Sequence, residues 1–64
     1  MAAERANAVE KALSIIESFR EGNDRLSLQE ISERTHLNKA TIIRLIASLE
    51  KFGYVLRVRK GEYA

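Results

Sequence analysis

Small, hydroxyl-bearing and basic side chains recur at helical spacing between Lys39 and Lys51. Thr41, Arg44 and Ser48 are three or four residues apart, which places them on one face of a helix. A guanidinium among short neighbours forms bidentate hydrogen bonds with carboxylates, phosphates or the O6 and N7 atoms of guanine. These side chains are therefore suited to binding an anionic partner that also offers hydrogen bonds.

The sequence offers no arrangement that is typical of catalysis or metal binding. It has no cysteine, and its single histidine, His36, has no ligand partner at helical spacing. Ser27 and Asn38 are better explained as helix caps than as nucleophiles, because neither is placed next to an obvious base. We therefore expect no enzymatic activity, no cofactor, no metal and no small-molecule effector on this domain.

Length and charge further narrow the class of protein to which this chain can belong. A chain of 64 residues supports a single core, so we expect one domain over residues 1–64. Residues 1–33 carry four basic and seven acidic side chains, whereas residues 34–64 carry seven basic and two acidic ones. The basic half attracts phosphate, although chance clustering on a solvated surface explains the same distribution.

No apolar run approaches the roughly 18 residues of a membrane span, so we expect a cytoplasmic protein without a membrane partner.

The first helix is predicted over about residues 8–21, followed by a loop at Gly22, Asn23 and Asp24. Its apolar positions form a core stripe at helical spacing: Val9, Ala12, Leu13, Ile16 and Phe19. Ala8 and Ile15 widen the apolar arc to one side of this stripe. That flank is either buried within the domain or packed on a partner subunit.

Two further helices follow, separated by a short turn. Ser27 and Glu30 form a capping-box pattern that starts the second helix, predicted over about 28–35, with Leu28 and Ile31 directed inward. His36 lies in the turn, where a positive backbone angle is often needed, and Leu37 is expected to enter the core. Asn38 is a suitable N-cap for the third helix, predicted over about 39–52 and ended by Gly53. Its predicted apolar stripe consists of Ile42, Leu45, Ile46, Leu49 and Phe52.

The C-terminal segment, about 54–64, is predicted to form a β-hairpin with a turn at Arg59, Lys60 and Gly61. Arg25 and Leu26 weakly suggest another short strand. The fold class is therefore mainly α with a small β-hairpin, a winged helix-turn-helix of three helices plus wing. The aromatic residues are expected in the core or the strands rather than as platforms for base stacking: Phe19, Phe52, Tyr54 and Tyr63.

Within this fold the third helix is expected to enter the major groove of double-stranded DNA. Arg44 is the first candidate for base recognition, while Thr41 is suited to a base edge, a thymine methyl group or a phosphate. The wing is expected to contact the backbone or the minor groove, although basic residues on an edge strand also prevent aggregation. The predicted DNA-binding residues are Lys39, Ala40, Thr41, Arg44, Ser48, Lys51, Arg57, Arg59 and Lys60.

The chain resembles the N-terminal domain of the IclR family of bacterial transcription regulators. The resemblance covers nearly the whole chain and depends on the order and spacing of four segments: residues 11–17, 26–35, 39–50 and 53–55 with 61–63. It implies regulation of transcription at the bacterial nucleoid, a palindromic operator, and a homodimer or tetramer paired partly through the first helix. It also implies that the effector-binding domain of full-length members lies outside this sequence.

The chain departs from the family pattern at three places. His36 stands where glycine is common and Asn38 where proline is frequent. The third place is the segment Ala40-Thr41-Ile42-Ile43, where serine, threonine, an aliphatic residue and an aromatic residue or histidine are usual. The change at Ile43 puts one contact at the groove edge in doubt. The alternatives are a winged helix of another regulator family and a winged helix that serves as a protein interaction module, which would expose apolar residues on the third helix.

Overall fold

The computed structural model describes residues 2–19 and 25–64, with side chains from residue 7 onward in the first range. Three helices and a small antiparallel sheet make up this part of the chain, which confirms the predicted winged helix-turn-helix. The loop predicted at Gly22, Asn23 and Asp24 lies outside the described residues. The elements are α1 (Ala2–Glu17), β1 (Leu26–Ser27), α2 (Leu28–Thr35), α3 (Lys39–Lys51), β2 (Arg57–Arg59) and β3 (Glu62–Tyr63).

Helix α1 begins and ends earlier than the predicted range of 8–21. Two serines bond back to the backbone near its end: the Ser14 hydroxyl donates to the carbonyl of Lys11 at 2.7 Å, and the Ser18 hydroxyl donates to the carbonyl of Ile15. Serine side chains compete in this way with regular helix hydrogen bonding. Ser18 and Phe19 consequently lie in a turn.

The core-facing side of α1 differs from the predicted stripe. Ile15, assigned to the flank, is fully buried, whereas Val9 and Leu13 are 57% and 52% exposed. Ala12, Ile16 and Phe19 are partly buried against the core. The apolar arc of α1 is wide, so its pattern does not determine which part of the arc the other helices cover. Of the two alternatives for this flank, burial within the domain applies to Ile15, whereas Ala8 is exposed.

Side-chain hydrogen bonds fix both ends of α2. The Ser27 hydroxyl accepts from the Glu30 amide at 3.1 Å and the Glu30 carboxylate accepts from the Ser27 amide at 2.8 Å, which confirms the capping box. His36 ends the helix with φ 63°, in the left-handed region predicted for this turn, and its amide donates to Ser32. The Ser32 hydroxyl donates to the Leu37 carbonyl at 2.7 Å, so this hydrogen bond connects α2 to the residue that follows His36.

A single core joins the three helices to the sheet. Strand β3 lies between β1 and β2, with Leu26 opposite Tyr63 and with a shift in register between Arg57 and Arg59. The Leu28 amide also donates to the carbonyl of Gly61 at 2.9 Å. The short strand predicted at Arg25 and Leu26 is thus displaced by one residue and forms the third strand. The buried core consists of Ile15, Leu26, Ile31, Ile42, Ile46, Leu49, Val55 and Tyr63.

The corrected orientation of α1 can be tested by paired substitutions. Ile15→Ala should lower the free energy of unfolding by about 2–5 kcal/mol, because it leaves a cavity in the core. Leu13→Ala, at a half-exposed site on the same helix, should change it by only about 0.5 kcal/mol. Urea denaturation followed by circular dichroism measures both. If Ile15→Ala does not fold, Ile15→Val should still cost about 0.5–1.5 kcal/mol; a larger loss for Leu13→Ala than for Ile15→Ala would contradict this orientation.

The capping box predicts a dependence of stability on pH. Hydrogen bonds from the Ser27 amide, and then from the Ser27 hydroxyl, lower the pKa of the Glu30 carboxyl in the folded state. Because the folded pKa is depressed, this stabilisation is present above the unfolded pKa of about 4.3 and is lost as the pH falls through the folded value. Glu30→Gln, which keeps a capping side chain without the charge, should show a smaller decrease in melting temperature between pH 6 and pH 3. Glu33→Gln on the same helix should retain the wild-type decrease; identical profiles for wild type and Glu30→Gln would contradict the prediction.

Candidate nucleic-acid interface

The orientation of α3 is set by its buried side. Ile42, Ile46 and Leu49 are buried in the core, and Leu45 is partly buried against it. At helical spacing, the opposite side of α3 must then face solvent. The side chains exposed on that side are Lys39, Ala40, Ile43, Arg44, Ala47, Ser48 and Lys51, with Thr41 partly buried. The structure thus brings the six predicted DNA-binding residues of α3 onto one accessible surface.

The N-terminus of α3 is fixed by Asn38. Its side-chain oxygen accepts from the Thr41 amide at 2.8 Å, and its carbonyl accepts from the Ile42 amide at 3.1 Å. The predicted N-cap is therefore confirmed. The cap uses the amide of Thr41, while Lys39 and Ala40 lie exposed in the first turn, where the helix dipole favours negative charge.

The wing presents three basic residues that differ in their surroundings. The guanidinium of Arg57 lies 3.9 Å from the carboxylate of Glu50 on α3, and that of Arg59 lies 3.0 Å from the carboxylate of Glu62. Lys60 is exposed in the turn before Gly61, which has φ 78°. All three predicted wing residues are therefore accessible, but two of them already lie near an acidic side chain.

Helix α1 contributes three residues that were not predicted to lie near Arg44. A cleft of about 310 Å³ lies between α1 and α3 and is lined by Asn7, Ala8, Lys11, Thr41, Arg44 and Leu45. The partly buried Lys11 thus shares a cleft with Arg44, although it belongs to the acidic half of the sequence. Asn7 and Lys11 are four residues apart, so the sequence shows that they share a face of α1, but only the packing of the helices shows what that face meets.

Two aromatic residues depart from the prediction. Tyr63 is buried in the core and Phe19 is partly buried against it, as expected. Phe52 is 72% exposed and Tyr54 is 68% exposed, so neither belongs to the core. The helix ends at Lys51, and Gly53 with φ 82° turns the backbone away before Val55 enters the core. The predicted helical stripe therefore does not continue to Phe52.

The chain combines a capped α2, a left-handed turn at His36, an exposed face on α3 and a wing. This combination can be compared with known families. The profile of the IclR helix-turn-helix domain matches residues 8–59 of the chain. The chain belongs to the IclR family. The matched range contains all predicted site residues except Lys60, which follows it directly. A comparison with curated proteins finds no match.

Membership in the IclR family makes this a DNA-binding domain of a transcription regulator and indicates a non-enzymatic role. None of the helices in the described part of the IclR domain is long and apolar enough to cross a membrane. Residues 2–19 and 25–64 contain no group of three or more histidine, cysteine, aspartate or glutamate residues that could hold a metal ion.

Proposed function

We propose that this IclR domain binds double-stranded DNA sequence-specifically, with α3 in the major groove and the wing on the backbone or in the minor groove. The observation that carries the proposal is the exposed side of α3, which is small, polar and basic at its centre. An α-helix enters the roughly 12 Å wide major groove when its leading side chains are short. Ala40 and Ala47 meet this requirement on either side of Arg44.

Arg44 is the residue that we assign to base recognition. It is exposed at the middle of α3, and its guanidinium can form two hydrogen bonds with guanine. Thr41 lies beside it in the cleft and is suited to a base edge or a nearby phosphate. The two residues together form the sequence-specific part of the proposed interface.

Phosphate contacts extend from this centre in three directions. Ser48 and Lys51 follow the exposed side of α3 toward its C-terminus, and Lys39 lies at its N-terminus. Lys60 lies at the tip of the wing, where a backbone contact is geometrically simplest. Lys11 extends the basic surface onto α1, because it shares a cleft with Arg44. Such contacts position a protein on DNA but carry little sequence information.

Helix α1 supports a proposal about assembly. Val9 and Leu13, four residues apart on one face of α1, are both more than half exposed. We propose that this face pairs two domains in a homodimer or within a tetramer, so that the operator is palindromic. Two-fold symmetry in the protein is matched by two-fold symmetry in the two half-sites.

A second candidate function is a protein interaction module. It is favoured by the exposure of Phe52, Tyr54 and Leu56 just beyond α3. Exposed apolar side chains that lie close together along the chain are typical of protein contacts. The central side of α3 has the opposite character, with Arg44, Ser48 and Lys51. Selection of duplexes from a random-sequence library at low salt distinguishes the two functions, because an interaction module would enrich no sequence.

Arg44→Ala should weaken binding to the selected duplex by about 1–3 kcal/mol and remove the preference for one base pair of the site. Arg44→Lys is the matched control for charge. It should keep the salt dependence of binding but lose the base preference, because lysine lacks the planar guanidinium that forms two parallel hydrogen bonds with guanine. Affinities for the selected duplex and for single-base variants of it measure both effects. Equal losses on selected and random duplexes would refute base recognition by Arg44.

Phosphate contacts are tested by the salt dependence of binding. Lys60→Ala and Lys11→Ala should each weaken all duplexes similarly and reduce the magnitude of the slope of log Kobs against log[salt] by about 0.9 for each bound domain, the value for one lost phosphate contact. Lys60→Arg and Lys11→Arg, which retain the charge, should keep the wild-type slope. A slope that is unchanged in either alanine variant would exclude a phosphate contact for that residue.

A further inference from the structure

Ile43 is a large aliphatic residue on the exposed side of α3. It is 51% exposed, although its neighbour Ile42 is fully buried in the core. Its neighbours one turn before and after, Ala40 and Ala47, are exposed and too small to cover it. The helix therefore presents an apolar side chain on the same surface as Arg44.

The position of Ile43 relative to the rest of the proposed interface follows from one ion pair and from the lining of the cleft. Glu50, two helical turns after Ile43 and on the same side of α3, lies 3.9 Å from Arg57 of the wing. Thr41 and Arg44 line the cleft toward α1 instead. Ile43 thus lies on the wing side of α3 and Thr41 on the α1 side, with Arg44 between them.

The chemistry of the major groove restricts what such a side chain can recognise. Base edges there present hydrogen-bond donors and acceptors, and the one apolar group among them is the C5-methyl group of thymine. Isoleucine has no polar atom, so it gains from contact with a methyl group and loses from contact with an unsatisfied donor or acceptor. Its β-branched side chain also has few rotamers to lose on binding.

We infer that Ile43 is a specificity-determining residue that packs against a thymine methyl group on the wing side of the base pair recognised by Arg44. This inference rests on the proposed insertion of α3 into the major groove. It adds a second, apolar element of sequence preference to the hydrogen bonds of Arg44.

The first test changes only the DNA. Each thymine of the duplex selected by the 64-residue chain is replaced in turn by deoxyuridine, which lacks the methyl group but keeps every hydrogen-bonding atom. At one thymine position of the half-site, a single replacement should weaken binding about fourfold, the effect of losing the burial of one methyl-sized group. The remaining replacements should have little effect.

The second test combines this replacement with a protein variant. Ile43→Ala should bind the thymine and deoxyuridine duplexes equally at that position, while its preference for the base pair of Arg44 is unchanged. Leu56→Ala is the matched control, because Leu56 is 67% exposed but lies outside α3 and outside the face of α1 that is proposed to pair two domains. It should retain the fourfold ratio between the two duplexes, whatever its effect on overall affinity.

The outcomes separate this inference from the proposed function. If no duplex is enriched, the proposed function fails, and the inference fails with it. If a duplex is enriched but contains no thymine, or every deoxyuridine replacement is neutral, only the inference about Ile43 is overturned. It is also overturned if Ile43→Ala keeps the fourfold ratio, which means that it weakens binding to the thymine and the deoxyuridine duplex by the same factor. Because the replacement scan on the wild-type chain needs no variant, the test does not depend on the folding of Ile43→Ala.

Discussion

The burial of Ile42 and Ile46 is the constraint on which the rest of the domain depends. Both side chains lie in one core with Ile15 of α1 and Ile31 of α2, so the rotation of α3 about its axis is fixed. Consecutive residues of a helix are about 100° apart, so a slip of one residue would carry Arg44 away from the centre of the exposed side. The surface that we propose to bind DNA is therefore the side of α3 opposite to the one that packs in the core.

The turn between α2 and α3 imposes the second constraint. His36 adopts a left-handed conformation that costs a residue other than glycine about 1 kcal/mol. Two hydrogen bonds that span His36 offset this cost: the Leu37 amide donates to the Thr35 hydroxyl at 3.3 Å, and the Ser32 hydroxyl donates to the Leu37 carbonyl. Leu37 packs partly against the core as a result. The angle between the two helices is thus held by local polar contacts as well as by apolar packing.

Features that depend on near neighbours in sequence could be predicted from the sequence alone. The capping box at Ser27, the N-cap at Asn38 and the positive φ at His36 each require only a few adjacent residues, and the narrow stripe at Ile42 and Ile46 leaves one orientation for α3. For the candidate site this was enough to place Arg44 and its neighbours on α3. The orientation of α1 was not predictable, because its apolar arc is wide and the choice between Leu13 and Ile15 is made by contacts with other helices. The same reason explains why the position of Lys11 in the cleft beside Arg44 was not predicted.

The middle strand of the sheet has a further consequence for how the domain folds. A two-stranded hairpin is marginally stable in water, and here β3 gains its second partner from β1, far earlier in the chain. The bond from the Leu28 amide to Gly61 adds to this link between the first turn of α2 and the tip of the hairpin. Contacts between such distant segments form late and slowly, because a long loop must close first. The wing is consequently a tertiary element: its middle strand is paired with a segment that precedes all of α2 and α3, so we expect the segment from Tyr54 to Ala64 to acquire its shape together with the packing of the helices.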